Sequence, residues 1–167
     1  MSPRTFLLDD RGTAATEFAL ILPLMILLLF GGSEAGHFVW TQHKLTEGVR
    51  NGVRYASRLP IDKVCNGATA VLADPALSNI KLITRTGQLA ASNANATVPG
   101  WGAGQVSVTV SCQAFVSTGI YSDFNAAGPI VTVRATNVAY PTLFKMLGNM
   151  PGTIRLNAKA STAVIGI

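Results

Sequence analysis

An apolar run without a single charged residue extends over Phe18–Gly32 and constrains the fold of this chain more than any other feature. Glu17 lies immediately before the run. A carboxylate costs about 2.5–3.5 kcal/mol at the centre of a spanning helix and less at its end. Extended to Trp40, the segment would be about 34 Å long as an α-helix, which is enough to cross a bilayer. We therefore predict a transmembrane or bundle-buried helix over residues 13–40.

The composition excludes some classes of function. Only 13% of the 167 residues are charged, about half the usual fraction for a soluble domain. The net charge of +5 comes from basic residues spread thinly along the chain, without the interleaved aromatic residues of a base-stacking surface. Nucleic-acid binding is therefore not favoured. The length allows one ordinary domain plus a membrane segment.

Three interpretations of the N-terminus compete: a signal peptide cut after the apolar run, an uncut membrane anchor, and a leader cut before the run. Asp9 and Asp10 in the polar head count against a signal peptide. Basic residues are more numerous after the run than before it, which by the positive-inside rule would keep the C-terminal part in the cytoplasm. Long domains translocate largely regardless of charge, so we expect residues 61–167 to be exported although the charge count disagrees.

Helical periodicity continues beyond the apolar run. Leu45, Val49 and Val53 recur at spacing four, which places them on one face of a helix. Pro60 cannot continue the helix. The pattern predicts an amphipathic continuation over residues 41–60.

Two further rows follow the same spacing. Arg50, Arg54 and Arg58 form a basic stripe, interpreted either as a solvated face or as a contact with lipid headgroups or an adjacent subunit. Small residues let another backbone approach closely, and we expect them to accommodate this chain's own sheet or a second chain. The packing glycines are Gly32, Gly36, Gly48 and Gly52.

Period-two alternation of apolar and polar residues follows in three segments, Val106–Cys112, Ile130–Val138 and Ile154–Val164. Such alternation is typical of a half-buried antiparallel sheet. We therefore predict an α+β fold, with a long N-terminal helix packed on a small antiparallel sheet domain formed by residues 61–167.

Weaker patterns fill the intervening regions. They predict a short helix over Ala68–Leu72, a short strand over Asn79–Thr84, a surface loop over 86–104 and a helical piece over Thr142–Leu147. Trp101 stands near the end of the loop, where it either packs back on the sheet or is exposed for binding.

Both cysteines, Cys65 and Cys112, lie beyond the apolar run. If that part of the chain is exported, the two can form a disulfide, worth about 4 kcal/mol in the chain-entropy model. The alternative is two unrelated buried thiols.

The residues offer little for catalysis. His37 and His43 are six residues apart and do not share a helix face as a metal pair would. The sequence contains no nucleophile elbow, P-loop, dinucleotide fingerprint or CxxC motif. We therefore expect neither an enzyme nor a bound metal or cofactor.

Residues 11–24 read RGTAATEFALILPL, and this segment resembles the start of TadE-family proteins, the pseudopilins of the tight-adherence (Tad, or Flp) pilus machinery. That family typically shows a basic residue and Gly, a few small residues, Glu-Phe, and then an apolar run with Pro. Residues 50–56, RNGVRYA, resemble the family's Gly-Ala-Arg-Tyr-Ala stretch, with Val53 where Ala is usual. The resemblance covers about a quarter of the chain and implies a pilin-like fold.

The resemblance also implies processing. A prepilin peptidase of the inner membrane would remove residues 1–12 as a cytoplasmic leader by cutting between Gly12 and Thr13. Glu17 would then be the fifth residue of the mature chain, where a carboxylate can pair with the α-amine of a neighbouring subunit in a low-dielectric bundle. The alternative role for Glu17 is to favour the helix start through the macrodipole.

The main pilin of such fibres is little more than the apolar helix, whereas this chain carries about a hundred further residues. The resemblance therefore implies a minor pseudopilin for pilus assembly, tip formation or surface adherence. It would reside in the bacterial inner membrane with its C-terminal domain in the periplasm and then move to the pilus. The implied partners are other pilins and pseudopilins, the peptidase, the inner-membrane assembly platform and, before assembly, membrane lipid. The alternative is an uncleaved, membrane-anchored periplasmic binding domain.

Overall fold

The computed structural model describes residues 13–89, 95–113, 128–143 and 154–166. They divide into two compact units, with the boundary between His37 and Phe38. The first unit is an apolar helical segment, and the second is an α+β domain that contains the sheet. The predicted fold class is confirmed.

One helix, α1, extends over Thr13–Ser57 and contains Pro23. Its C-terminal end lies close to Pro60, as predicted from the sequence. There the Ser57 carbonyl accepts a hydrogen bond from the Ile165 N–H at 2.9 Å. A helix leaves its last carbonyls without intrahelical partners, so this bond joins the end of α1 to the C-terminal segment of the domain.

The three-stranded sheet is antiparallel in the order β3–β4–β5, with β3 at Val106–Ser111, β4 at Ile130–Ala139 and β5 at Arg155–Ala163. Val133 on the central strand pairs with Val108 on one side and Ala160 on the other. The predicted alternation is confirmed, because every second residue of β4 from Val131 to Ala135 is buried.

An irregularity in β4 changes which residues face the core. The register with β5 shifts between Ala135 and Val138, and both of these residues are buried although they are three apart. Asn137 within the shift has a φ of 61°, a conformation that asparagine tolerates better than most residues. Its N–H donates to Asn157 Oδ1 at 2.9 Å, and its carbonyl accepts from Gln105 Nε2 at 2.7 Å.

A single core joins α1 to the sheet within the second unit. Its aromatic and aliphatic side chains are buried, and among the described residues Trp101 is the largest side chain that is fully buried. The buried apolar residues of α1 in this core are Leu45, Val49, Val53 and Ala56.

Two predictions between Pro60 and the loop were wrong. A short helix, α2, forms at Ile61–Val64, and the region expected to be helical instead pairs β1 (Cys65–Asn66) with β2 (Thr69–Ala70). Gly67 turns this hairpin with a φ of +57°, which glycine adopts at no steric cost.

The predicted strand over Asn79–Thr84 is instead part of helix α3, Ala76–Thr86. Asp74 Oδ1 accepts a hydrogen bond from the Ser78 N–H in the first turn, and Gly87 closes the helix in the left-handed conformation. These two signals fix the ends of the helix, whereas the apolar run between them is too short to separate helix from strand.

The predicted loop begins after α3, and its residues 95–102 contain no helix or strand. It ends in a 3₁₀ turn at Ala103–Gln105 that leads into β3. The helical piece predicted over Thr142–Leu147 falls largely outside the described residues.

Cys65 and Cys112 form a disulfide with a Cα–Cα distance of 5.8 Å. It joins the start of the β1–β2 hairpin to the residue that follows β3. Both cysteines are buried in the same core as Leu45 and Trp101.

Candidate functional site: the two halves of helix α1

The N-terminal half of α1 presents its apolar side chains outward. Eleven large apolar residues between Phe18 and Phe30 are each 39–80% exposed. This segment is long and apolar enough to cross a membrane by length and composition. A contiguous apolar surface of this size marks contact with lipid or with other proteins, so this half of the helix is compatible with membrane anchoring.

The predicted processing and assembly residues lie at the start of this half. α1 begins at Thr13, and Gly12 lies outside the described residues. Glu17 is one turn into the helix and exposed. Within the described part of the chain, no basic side chain forms an ion pair with its carboxylate. Glu17 is therefore placed where another molecule can reach it.

Gly32 and Gly36 lie on an open part of the helix. A Cβ added at either position would meet no atom within 4 Å apart from the neighbouring backbone of the helix itself. Among the described residues, nothing therefore packs against α1 at Gly32 and Gly36.

Gly48 and Gly52 are in a very different environment. A Cβ on Gly48 would overlap the Thr84 carbonyl oxygen and lie 2.9 Å from Trp101 Cζ3. A Cβ on Gly52 would overlap Thr84 Oγ1. The covering element is α3 together with Trp101, not the sheet that the sequence suggested.

Thr84 and Trp101 form the contact that sequence analysis missed. Thr84 is fully buried, and its hydroxyl donates to the Ile80 carbonyl at 2.7 Å. Trp101 is 1% exposed, and its carbonyl accepts a hydrogen bond from Arg85 Nε at 2.9 Å. Trp101 was expected either on the sheet or in solvent, and it packs against α1 at Gly48.

The opposite face of this half of α1 is exposed. Arg50 and Arg54 lie on it, and Arg58 is exposed in the turn that follows the helix. No ion pair between a carboxylate and any of these three arginines is found within the described residues. The basic stripe therefore remains accessible to a partner or to solvent.

No group of three or more His, Cys, Asp or Glu side chains that could hold a metal ion occurs in the described part of the chain. The candidate functional surface is helix α1, whose N-terminal half is uncovered by the described residues and whose C-terminal half is packed in the domain.

Comparison with protein families finds a match that falls on this helix. Residues 12–54 match the model of the family described as TadE-like protein. The N-terminal segment is TadE-like, as its resemblance suggested. No curated protein and no solved structure matches the chain significantly.

The TadE-like match coincides with one structural element. It begins at Gly12, the residue before α1, and ends at Arg54 within the last turn of that helix. It contains Glu17 and all four packing glycines but neither cysteine. The match covers about a quarter of the chain.

Proposed function

We propose that this protein is a minor pseudopilin of a Tad pilus, made as an inner-membrane protein with residues 61–167 in the periplasm and then transferred into the fibre. The observation that carries the proposal is the uncovered apolar half of a TadE-like helix, with side chains up to 80% exposed. Lipid covers this surface before assembly, and the helices of neighbouring subunits cover it afterwards.

The proposed processing rests on the TadE-like match, which begins at Gly12. Cleavage after Gly12 would expose Thr13, the first described residue of α1, as a new α-amine. Glu17 then lies one turn away, with no ion-pair partner among the described residues. In a low-dielectric bundle a lone carboxylate is disfavoured, whereas pairing with a neighbour's ammonium stabilises one axial register.

Export agrees with the disulfide, because such bonds persist in oxidising compartments. A minor role agrees with the size of the domain that begins at Phe38, since such domains would collide if stacked as densely as a short pilin. We infer a position at the tip or in an initiating complex, where assembly and surface adherence depend on few copies.

Intact-mass measurement of membrane-extracted protein tests processing. In a host that has the prepilin peptidase, we expect wild-type protein to consist of residues 13–167 and Gly12→Leu to retain residues 1–12. Gly31→Leu is the matched control, because Gly31 is uncovered like its neighbours and lies far from the cleavage site. An uncut wild-type chain would instead indicate a permanently anchored binding domain, and a start near Ala35 would indicate a secreted product.

Substitution of Glu17 separates assembly from processing. We expect Glu17→Gln to be cleaved normally but to be at least tenfold depleted in sheared pili, because a loss of roughly 1.4 kcal/mol or more in subunit pairing lowers incorporation by that factor. Glu34→Gln removes the other acidic residue of the N-terminal half of α1 and serves as the control. Equal incorporation of the wild type and Glu17→Gln would show that Glu17 does not align subunits.

A further inference from the structure

Four exposed apolar side chains surround the end of the folded domain at which its first residue, Phe38, lies. We call Val39, Trp40, Leu143 and Ile154 the apolar rim. Each is 50–66% exposed. Their exposure is unusual in a domain whose other large apolar residues are mostly packed in one core.

Contacts within the domain bring the rim together. The Phe38 ring packs edge-on against Tyr140, with 5.3 Å between ring centroids. The Tyr140 N–H donates to the Ile154 carbonyl at 3.1 Å, and Leu143 lies three residues after Tyr140 in the chain. Three residues after Ile154, within β5, the Asn157 carbonyl accepts a hydrogen bond from Gln42 Nε2 at 2.9 Å, which holds the start of β5 beside α1.

Basic side chains adjoin the rim. The Lys44 ammonium lies 3.9 Å from the centroid of the Trp40 ring, and the exposed Arg155 directly follows Ile154. Tryptophan is enriched at membrane–water interfaces, and lysine there extends its charge toward the headgroups while its stem covers apolar surface. The rim combines both features.

The other exposed apolar residues of the domain lack this arrangement. Ile165 lies at the C-terminal end of α1, where its N–H donates to the Ser57 carbonyl. Leu89 lines a shallow cleft with Arg54 and Arg58, and Val71 lines another with Leu59. Among the described residues of the domain, the cation–π pair of Lys44 and Trp40 is found at the rim and not at these other positions.

We propose that the apolar rim is a lipid-contacting surface, which sits at the boundary between headgroups and acyl chains of a phospholipid bilayer and fixes the depth at which the membrane-embedded subunit rests. Val39, Trp40, Leu143 and Ile154 enter the boundary, and Lys44 and Arg155 contact lipid phosphates. The inference rests on the proposed membrane-bound state but not on leader cleavage, since an uncleaved anchor would place the rim at the same depth.

Fluorescence quenching in vesicles tests the proposal, because the chain has two tryptophans in opposite environments. Trp40 is 53% exposed, whereas Trp101 is buried in the core. The full chain is reconstituted in phosphatidylcholine–phosphatidylglycerol vesicles whose acyl chains are brominated either near the headgroup or near the methyl end. The emission of Trp40 is obtained by subtracting that of Trp40→Phe, which retains Trp101.

We expect shallow bromines to quench Trp40 at least twofold more than deep bromines and to leave Trp101 unchanged. Leu143→Ser/Ile154→Ser should shift Trp40 emission to longer wavelength and reduce its quenching. Leu89→Ser is the matched control for Ile154→Ser, because Leu89 is 47% and Ile154 is 50% exposed, and it should change neither quantity.

Three results would overturn the proposal. Stronger quenching by deep bromines would place Trp40 inside the membrane core. Quenching by aqueous acrylamide but not by bromolipid would place the rim in water. Protection from both quenchers would mean that a second protein surface covers it. Intact mass of the same sample reports leader cleavage independently, so failure of this inference is distinguishable from failure of the proposed processing.

Discussion

The two halves of helix α1 carry the same kind of glycine row but use it differently. Gly48 and Gly52 lie in direct contact with α3 and Trp101, whereas Gly32 and Gly36 meet nothing within 4 Å among the described residues. The apolar residues follow the same division. Leu45 and Val49 are fully buried, and those from Phe18 to Phe30 are exposed.

The difference shows that spacing alone specifies a close approach but not its partner. In the C-terminal half the chain supplies the partner itself, since α3 approaches α1 as far as the missing side chains allow. In the N-terminal half the described residues supply no such partner, and under the proposed function lipid or another subunit takes that place. On that proposal, a TadE-like segment that extends over both halves combines a folding surface with an assembly surface.

The largest expected effect on stability comes from removing the disulfide, which lies in the domain that covers the C-terminal half of α1 and does not involve the N-terminal half. Cys65→Ala/Cys112→Ala should lower the free energy of unfolding of the domain by about 2–5 kcal/mol. Near-UV circular dichroism of the full chain in detergent, followed through denaturant, measures this loss. The apolar half of α1 should keep its helical signal, because the bond does not involve it.

Reductant provides the control for that experiment. It should destabilise the wild type to the level of the double variant and should not affect the variant further. A domain equally stable with and without the bond would contradict the idea that the disulfide supports the fold that covers Gly48 and Gly52.

The three strands β3, β4 and β5 were predictable because each one alternates over six or more residues. Val131, Val133 and Ala135 are buried as their period requires. Helix α3 was not predicted, because the stretch from Asn79 to Thr84 is too short for its hydrophobic period to separate a helix from a strand. Its ends carried a usable signal, an Asp at position 74 and a Gly at position 87.

The candidate site was predictable to a similar extent. Glu17 and the four glycines were predicted from their spacing and from the family resemblance. The sequence did not reveal that the chain itself covers Gly48 and Gly52, because part of α3, the helix that covers them, was mistaken for a strand. Thr84 gave no signal either, since a lone threonine is buried only through the tertiary contact that the sequence does not display.

Substitution of the glycines is the second test of the comparison, with a smaller expected effect. Gly52→Ala should destabilise the domain by about 1–3 kcal/mol, because the added methyl overlaps Thr84 Oγ1 in a packed core. This cost exceeds the gain of up to about 1 kcal/mol that alanine brings to a helix interior. Gly32→Ala and Gly36→Ala should leave the domain's unfolding midpoint unchanged, since nothing opposes their methyl groups.

Thr84→Ala decides whether this contact is the cause. In the double variant Gly52→Ala/Thr84→Ala the overlapping hydroxyl is gone and the nearest remaining atom, Thr84 Cβ, is 3.2 Å from the new methyl, so most of the lost stability should return. The same change should not rescue Gly48→Ala, whose methyl meets the Thr84 backbone oxygen instead. A double-mutant cycle that gave equal coupling at both glycines, or none at either, would show that α3 does not cover α1 through Thr84 and would remove the distinction between the two halves of the helix.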